Sequence, residues 1–202
     1  MSNRRKIEIM DTTLRDGEQT NNVSFSATEK LTIAKLLLEE LHVDRIEIAS
    51  TRVSEGEFNA VKGITEWASE AGFIDKIEVL SFVDKGLSID WMVKTGAKVQ
   101  NLLTKGSLNH LKHQLKKTPE QHFNEIAESI RIGLENNIDT NVYLEDWSNG
   151  MRNSPEYVFQ FLDFLAEQPI KRLLLPDTLG VLTPAESYDF IKQVKERYPK
   201  MH

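Results

Sequence analysis

Short apolar runs rich in β-branched residues alternate six times with longer segments of helical periodicity, and this alternation constrains the fold more than any other feature. The predicted strands cover 6–11, 44–50, 76–82, 97–103, 139–146 and 170–177. The predicted helices, where apolar residues recur every three to four positions, cover 26–41, 55–72, 87–96, 118–137, 154–168 and 183–199. Each strand–helix step takes roughly 30 residues, the size of a βα unit. Strands joined in this way run parallel with right-handed crossovers.

Local signals at the helix ends agree with these ranges. Capping-box spacing is present at Ser26 with Glu29, Thr118 with Gln121, and Thr183 with Glu186. Proline stands at the expected first helical position at Pro119, Pro155 and Pro184, and glycine closes two helices at Gly72 and Gly96.

Two architectures accommodate this pattern, a doubly wound sheet and a (β/α)8 TIM barrel. The first strand is not followed by a GxGxxG turn, which weighs against a dinucleotide-binding sheet. A complete barrel needs eight units and about 250 residues, whereas six units are present in 202 residues.

Composition excludes several classes of protein. A formal net charge of −6 with scattered Lys and Arg argues against general nucleic-acid binding. The sequence has no cysteine, which excludes disulfides and Cys-ligated zinc or iron–sulfur sites. No apolar run is long enough for a membrane span, and the N-terminus lacks the apolar region of a secretory signal. We therefore expect a cytoplasmic protein with neither nucleic-acid nor membrane partners.

Polar residues gather where the predicted strands end. They are Arg15 and Asp16 after the first strand, Glu145 and Asp146 after the fifth, and Asp177 and Thr178 after the sixth. In a barrel these ends share the face that carries active sites. Carboxylates and an arginine together suit a divalent cation and an anionic substrate. Glu47 lies inside the second apolar run and needs a partner for its carboxylate, which Arg15 can supply.

Other polar and aromatic residues are interpreted as structural. Of the five histidines, the four before His202 are interpreted as solvated, and Asp177 as a turn residue or cap. Trp67, Trp91 and the phenylalanine-rich helix are assigned to the core or an interface. The Lys105–Gly106 pair is only a weak phosphate-loop signal.

The segment DTTLRDGEQT, residues 11–20, resembles the signature of the DRE-TIM metallolyase family. That family includes 2-isopropylmalate, citramalate and homocitrate synthases and 3-hydroxy-3-methylglutaryl-CoA lyase. VDRIEIAS, NVYLEDWSNGMRNSP and LPDTLGVLTP are similar to the synthase branch, in the same order. The resemblance spans essentially the whole chain and implies a TIM barrel, here about its first six βα units.

The resemblance implies a role for each matching polar residue. Asp16 is expected to ligate a catalytic divalent metal (Mg, Mn or Zn), and Arg15 to polarise the keto oxygen of the substrate. Glu47 is expected to hold Arg15 in place, and Thr178 to bind the keto-acid carboxylate. Glu145 is expected to assist deprotonation of acetyl-CoA or hydrolysis of the thioester.

The implied activity is an acyltransferase that condenses acetyl-CoA with a 2-keto acid. Pyruvate would give citramalate, and 2-ketoisovalerate would give 2-isopropylmalate, in isoleucine or leucine biosynthesis. Two alternatives stay open, a lyase that cleaves the corresponding carbon–carbon bond and a catalytically incomplete barrel fragment.

The family's remaining metal ligands form an H-x-H motif that does not occur in this sequence. We therefore expect residues 1–202 to be the N-terminal part of a barrel domain, without strands seven and eight and the C-terminal regulatory region, and inactive alone. The longer enzyme is expected to be a homodimer.

Substrate choice is expected to depend on Leu80, Leu103 and Tyr143, which the strand predictions place where they can line the keto-acid pocket. Bulky side chains there favour pyruvate over 2-ketoisovalerate. The alternative is that the two leucines are ordinary barrel-core residues.

Overall fold

The computed structural model describes residues 7–201, in which six strands follow one another in the sheet in sequence order. The strands are β1 Met10–Asp11, β2 Arg45–Ser50, β3 Ile77–Phe82, β4 Val99–Lys105, β5 Asp139–Glu145 and β6 Arg172–Leu174. β1 pairs with β2, β2 with β3, and β5 with β6, each in parallel. The alternating α/β pattern with parallel strands is thereby confirmed.

The first strand is shorter than predicted. Of the predicted range 6–11, residue 6 lies outside the described residues and only Met10–Asp11 is in the sheet. The amide of Ile9 donates to Asp44 Oδ2 at 2.9 Å, a side-chain acceptor that replaces a sheet partner. Ile7 and Ile9 are largely exposed, so no burial favours extending the strand.

Eight helices lie within the described residues. They are α1 Ala27–Lys35, α2 Glu55–Ala71, α3 Leu87–Thr95, α4 Leu108–His110, α5 Pro119–Glu135, α6 Trp147–Asn153, α7 Pro155–Ala166 and α8 Pro184–Arg197. α1 and α4 each continue into a five-residue π-helical segment, Leu36–Glu40 and Leu111–Leu115. Short 3₁₀ turns occupy Gly17–Gln19 and Ile74–Lys76. None of the described helices is both long and apolar enough for a membrane crossing.

The predicted helix ends are confirmed at three capping boxes. In α1, α5 and α8 the cap hydroxyl accepts from the N3 amide while the N3 side chain accepts from the cap amide. Prolines begin α5, α7 and α8, where the missing N–H costs no intrahelical hydrogen bond. Gly72 ends α2 in the left-handed region, at a φ of 76°.

The chain divides into two compact units. The first comprises the described residues up to Ser81 together with Leu87–Gln100. Its core includes Ile46, Ile48 and Ile77 from the strands and Ile64 from α2, all fully buried. The packing of α1 against α2 closes this core.

The second unit comprises Phe82–Gly86 and the described residues from Asn101 onward. The core of this unit contains stacked rings, with Phe123 centred 4.9 Å from Phe161 and 5.0 Å from Phe164. The assignment of the phenylalanine-rich helix to the core is therefore confirmed. α6 packs backbone to backbone on the end of β4, because a Cβ at Gly150 would lie 2.1 Å from the Gly106 carbonyl oxygen.

Candidate active site

In the first unit, the chain turns sharply after β1 and presents Arg15 and Asp16. The carbonyl of Thr12 accepts from the amides of Arg15, Asp16 and Gly17 at 3.1, 2.8 and 3.1 Å. Three donors on one carbonyl fix this corner tightly. The turn therefore fixes the backbone positions from which the two charged side chains extend.

Glu47 on β2 holds the arginine of this corner. Arg15 Nε donates to Glu47 Oε2 at 2.5 Å, and Arg15 Nη1 donates to Asp16 Oδ1 at 2.9 Å. The Glu47 side chain is fully buried, whereas that of Asp16 is 60% exposed. The predicted pairing of Glu47 with Arg15 is thus present, and the Asp16 carboxylate remains accessible.

A buried lysine beneath the corner was missed by sequence reasoning. Lys30 Nζ lies 2.6 Å from Glu18 Oε2 and 2.6 Å from Glu57 Oε1, and donates to the Leu14 carbonyl at 3.3 Å. Helical spacing was the available signal, since Lys30, Ala34 and Leu38 are four residues apart and all buried. A cavity of about 330 Å³ beside this cluster is lined in part by Arg15, Glu18 and Glu57.

Leu80 lies on the same face of the sheet as Glu47. The two glutamates Glu47 and Glu78 are register partners on β2 and β3. Leu80 follows Glu78 by two residues along β3. Because successive side chains of a strand point to opposite faces of the sheet, Leu80 lies on the same face as Glu78 and Glu47. Leu80 is 6% exposed, and the carboxylate of Glu78 pairs with Arg45 at 3.0 Å.

In the second unit, β4 and β5 bring Leu103, Tyr143 and Glu145 onto one face. Asn141 Nδ2 donates to Asn101 Oδ1 at 2.8 Å, and four residues further along both strands Lys105 forms an ion pair with Glu145. The same offset of 40 residues places Leu103 beside Tyr143, between these two contacts. Both side chains are half-buried.

Thr178 is joined to the end of β5 through Asp146. The Asp146 amide donates to Thr178 Oγ1 at 2.9 Å. Asp146 adopts a left-handed φ of 65°, which is uncommon for a residue other than glycine. Its buried carboxylate accepts from Ser107 Oγ at 2.6 Å and Asn149 Nδ2 at 2.7 Å. Thr178 accepts in this contact, so its hydroxyl proton can still be donated to an anionic ligand.

The prediction that the histidines are solvated is wrong for His122. This side chain is 1% exposed, and its Nε2 accepts from the Lys105 amide at 3.3 Å. Burial, with a smaller effect of Lys117, lowers the pKa of His122 to about 4. His110 Nε2 lies 3.5 Å from Asp146 Oδ2. His202 lies outside the described residues.

Asp177 lies in a turn, as the sequence analysis predicted when it interpreted this residue as a turn residue or cap. Its Oδ2 accepts from the Leu182 amide at 2.9 Å, and its carbonyl accepts from the Gly180 amide. The hydrogen bond from the Leu182 amide is the largest cause that lowers the pKa of Asp177.

Asp16 can contribute one ligand to a divalent cation. Its accessible carboxylate is a hard oxygen donor of the kind that Mg²⁺ and Mn²⁺ prefer. Among residues 7–201, no three His, Cys, Asp or Glu side chains are grouped closely enough to hold a metal ion.

Residues 6–202 match the HMGL-like family model. The chain belongs to this family. The 2-isopropylmalate synthase of Sulfurisphaera tokodaii is 37% identical over 194 residues, covering 95% of this chain and 48% of that enzyme. A putative (R)-citramalate synthase of Methanopyrus kandleri is 31% identical over 192 residues, covering 95% of this chain and 36% of that protein. The chain thus spans about half, or less, of the length of these relatives.

Solved structures establish the fold of this HMGL-like chain. The HMG-CoA lyase of Bacillus subtilis superposes with a TM-score of 0.76 at 20% identity, covering 96% of this chain and 65% of the lyase. The HMG-CoA lyase of Acinetobacter baumannii, in complex with coenzyme A and 3-methylmalate, superposes with a TM-score of 0.73 at 19% identity. This match covers 94% of this chain and 62% of that lyase. The predicted first six units of a TIM barrel are therefore confirmed, and the doubly wound sheet is excluded.

Proposed function

We propose that the protein acts in a Claisen-type condensation of acetyl-CoA with a 2-keto acid, as an acyltransferase of the 2-isopropylmalate or citramalate synthase type. The observation that carries this proposal is the Arg15–Asp16–Glu47 arrangement, in which a buried carboxylate holds an arginine beside an accessible aspartate. The synthase names of the relatives support the same assignment.

Arg15 would stabilise the charge that develops on the substrate. Attack on the keto carbon of a 2-keto acid leaves negative charge on the former keto oxygen. A guanidinium already held by Glu47 needs little reorganisation to meet that charge. Lysine would not replace it, because the planar fork is what allows simultaneous contact with Glu47 and Asp16.

Asp16 would hold a divalent cation (Mg, Mn or Zn), for which its exposed carboxylate is suited. When bound, such an ion makes a keto carbon more electrophilic. The H-x-H ligands that the family resemblance implies do not occur in the sequence.

Glu145 would act on acetyl-CoA, and Thr178 would bind the carboxylate of the 2-keto acid. The Glu145 carboxylate at the end of β5 would take a proton from the methyl group of acetyl-CoA or direct water at the thioester. The Thr178 hydroxyl, which accepts from Asp146, would donate its proton to the keto-acid carboxylate.

Pyruvate is the proposed keto acid. Leu103 and Tyr143 are adjacent on the face that carries Glu145, and Leu80 lies on the face that carries Glu47. Large side chains at these positions leave little room for the isopropyl group of 2-ketoisovalerate.

A substrate panel tests the proposal against its alternatives. The whole gene product and residues 1–202 alone are each incubated with acetyl-CoA, Mn²⁺ or Mg²⁺, and pyruvate or 2-ketoisovalerate, and thiol release is measured with and without a chelator. The HMG-CoA lyase neighbours favour a second candidate, so cleavage of 3-hydroxy-3-methylglutaryl-CoA is measured in parallel. Metal-dependent thiol release supports the synthase, and cleavage supports the lyase. Activity of the whole gene product that residues 1–202 alone lack supports the catalytically incomplete fragment.

A further inference from the structure

Lys105, the last residue of β4, pairs with the candidate base Glu145. Its Nζ forms an ion pair with Glu145 Oε2, and the two side chains are only 15% and 26% exposed. The Gly106 amide donates to the Glu145 carbonyl at 2.6 Å, so the two strand ends are also joined through their backbones. Lys105 is therefore placed to control where the Glu145 carboxylate lies.

Two buried side chains form hydrogen bonds with the backbone of Lys105, one with its amide and one with its carbonyl. Its amide donates to His122 Nε2 at 3.3 Å, and its carbonyl accepts from the Tyr157 hydroxyl at 2.7 Å. His122 and Tyr157 are 1% and 4% exposed. Burial lowers the pKa of His122 to about 4, which keeps its ring neutral and able to accept near neutral pH. Burial raises the pKa of Tyr157, which keeps its hydroxyl a donor.

His122 and Tyr157 come from different helices but pack in one aromatic core. His122 on α5 is centred 5.8 Å from the Phe161 ring, and Tyr157 on α7 is centred 6.2 Å from the Phe123 ring. Close packing of these rings resists independent movement of either helix. The backbone from which the long lysine side chain extends is consequently fixed.

We propose that Lys105 is a positioning residue for Glu145, and that His122 and Tyr157 form a buried clamp on its backbone. A general base must be held within hydrogen-bond reach of the proton that it removes, and a supporting shell of packed residues provides that precision. The lysine stem is flexible and loses rotamer entropy when its head is fixed, so anchoring its backbone limits the volume it samples. The catalytic consequence rests on the proposed function of Glu145, whereas the clamp and the ion pair do not.

The clamp is tested without substrate by zero-length carbodiimide crosslinking and mass spectrometry. We expect an isopeptide between Lys105 and Glu145 in the wild type, and at least a threefold lower yield in Tyr157→Phe, which removes only the hydroxyl. The exposed pair Lys171 and Asp139, 2.6 Å apart at the other end of β5, is the internal control in both proteins. Detection of the 139–171 crosslink alone in the wild type, or an unchanged 105–145 yield in Tyr157→Phe, would overturn the clamp.

The positioning role is tested by turnover of the whole gene product. Lys105→Met should lower kcat for thiol release at least tenfold while KM for the keto acid stays within twofold, and Lys105→Arg should recover kcat to within threefold. Lys171→Met should leave kcat unchanged. A wild-type kcat in Lys105→Met contradicts the positioning role. A wild type that releases no thiol with any keto acid contradicts the proposed function instead, and the crosslinking result then decides the clamp by itself.

Discussion

Glu47 accepts a hydrogen bond from Arg15 Nε at 2.5 Å, although the side chain of Glu47 is fully buried and that of Arg15 is 15% exposed. A carboxylate placed inside a strand is costly unless a charged donor compensates it. The same contact therefore ties the stability of β2 to the placement of the candidate catalytic arginine. Any substitution at either residue should affect both.

A double-mutant cycle on this pair measures the link. We expect Arg15→Leu and Glu47→Leu each to lower the free energy of unfolding by about 3 kcal/mol, because each leaves its partner's charge poorly compensated. The double variant should lose at least about 1.5 kcal/mol less than the sum. Urea unfolding gives the values. The exposed pair Arg131 and Glu135 on α5 is the control, with an expected coupling of about 0.3–0.5 kcal/mol. Equal coupling for the two pairs would contradict the prediction.

Asp16 should be required for metal-dependent turnover. Asp16→Ala removes the accessible carboxylate while the corner stays held by the Thr12 carbonyl, so we expect loss of most Mn²⁺-stimulated thiol release with little change in melting temperature. Asp75→Ala, at an exposed aspartate of the same unit, should behave as wild type. Full activity of Asp16→Ala, or of the wild type in excess chelator, would refute the assignment.

Leu103 should influence the choice of keto acid. Leu103→Ala enlarges the space beside Tyr143, so the ratio of kcat/KM for 2-ketoisovalerate to that for pyruvate should rise, by an amount corresponding to about 1–3 kcal/mol. Leu80→Ala is expected to act in the same direction. Leu134→Ala, on the exposed side of α5, is the control. An unchanged ratio in both variants would mean that these leucines are core residues only.

His122 should make stability depend on pH. Its pKa is about 4 in the folded chain and 6.5 for an ordinary histidine, so the unfolded chain binds more protons between these values and stability falls as pH drops from 6.5 through 4. At about 1.4 kcal/mol per pH unit, the loss is on the order of 3 kcal/mol. His122→Gln keeps an acceptor for the Lys105 amide but does not titrate. Urea unfolding from pH 7 to pH 4 should give a shallower decline for the variant, and parallel curves would contradict the assignment.

Gly150 should tolerate no side chain. Gly150→Ala would place a Cβ 2.1 Å from the Gly106 carbonyl oxygen, which forces α6 away from β4, and we expect a loss of about 3 kcal/mol or more. Gly63→Ala, in α2 with no atom within 4 Å of the new Cβ, should be neutral or stabilising by about 0.5–1 kcal/mol. Thermal unfolding distinguishes the two. Equal melting temperatures would show that α6 can move without penalty.

Local signals in the sequence located most of the fold. The capping boxes and first-turn prolines act within one helical turn, so the starts of α5 and α8 were predicted to within a residue. α6 was not predicted, because Trp147–Asn153 is short and depends on the close approach of Gly150 to Gly106. The extent of β1 depends on a side chain 35 residues away, which no local pattern records.

The candidate site was only partly predictable for the same reason. The pairing of Glu47 with Arg15 followed from the cost of burying a lone carboxylate. The burial of His122 was readable from its spacing to Ile126 and Ile130, four and eight residues on, but its partner is a backbone amide on another element. The ion pair of Lys105 with Glu145 requires the register of β4 and β5, which tertiary packing sets.

The order of the strands in the sheet also bears on how the chain is made. Register partners of β1 with β2, β2 with β3 and β5 with β6 lie 30 to 35 residues apart, as in Ser50 with Leu80 and Met10 with Arg45. At a ribosomal rate of about 5–20 residues per second, such a partner emerges within roughly 2–7 seconds of the strand that it joins. Because strand order follows sequence order, each new strand finds the preceding one already synthesised. The nascent chain can therefore add these six strands one βα step at a time, and each strand from β2 to β6 meets its preceding neighbour as soon as it emerges.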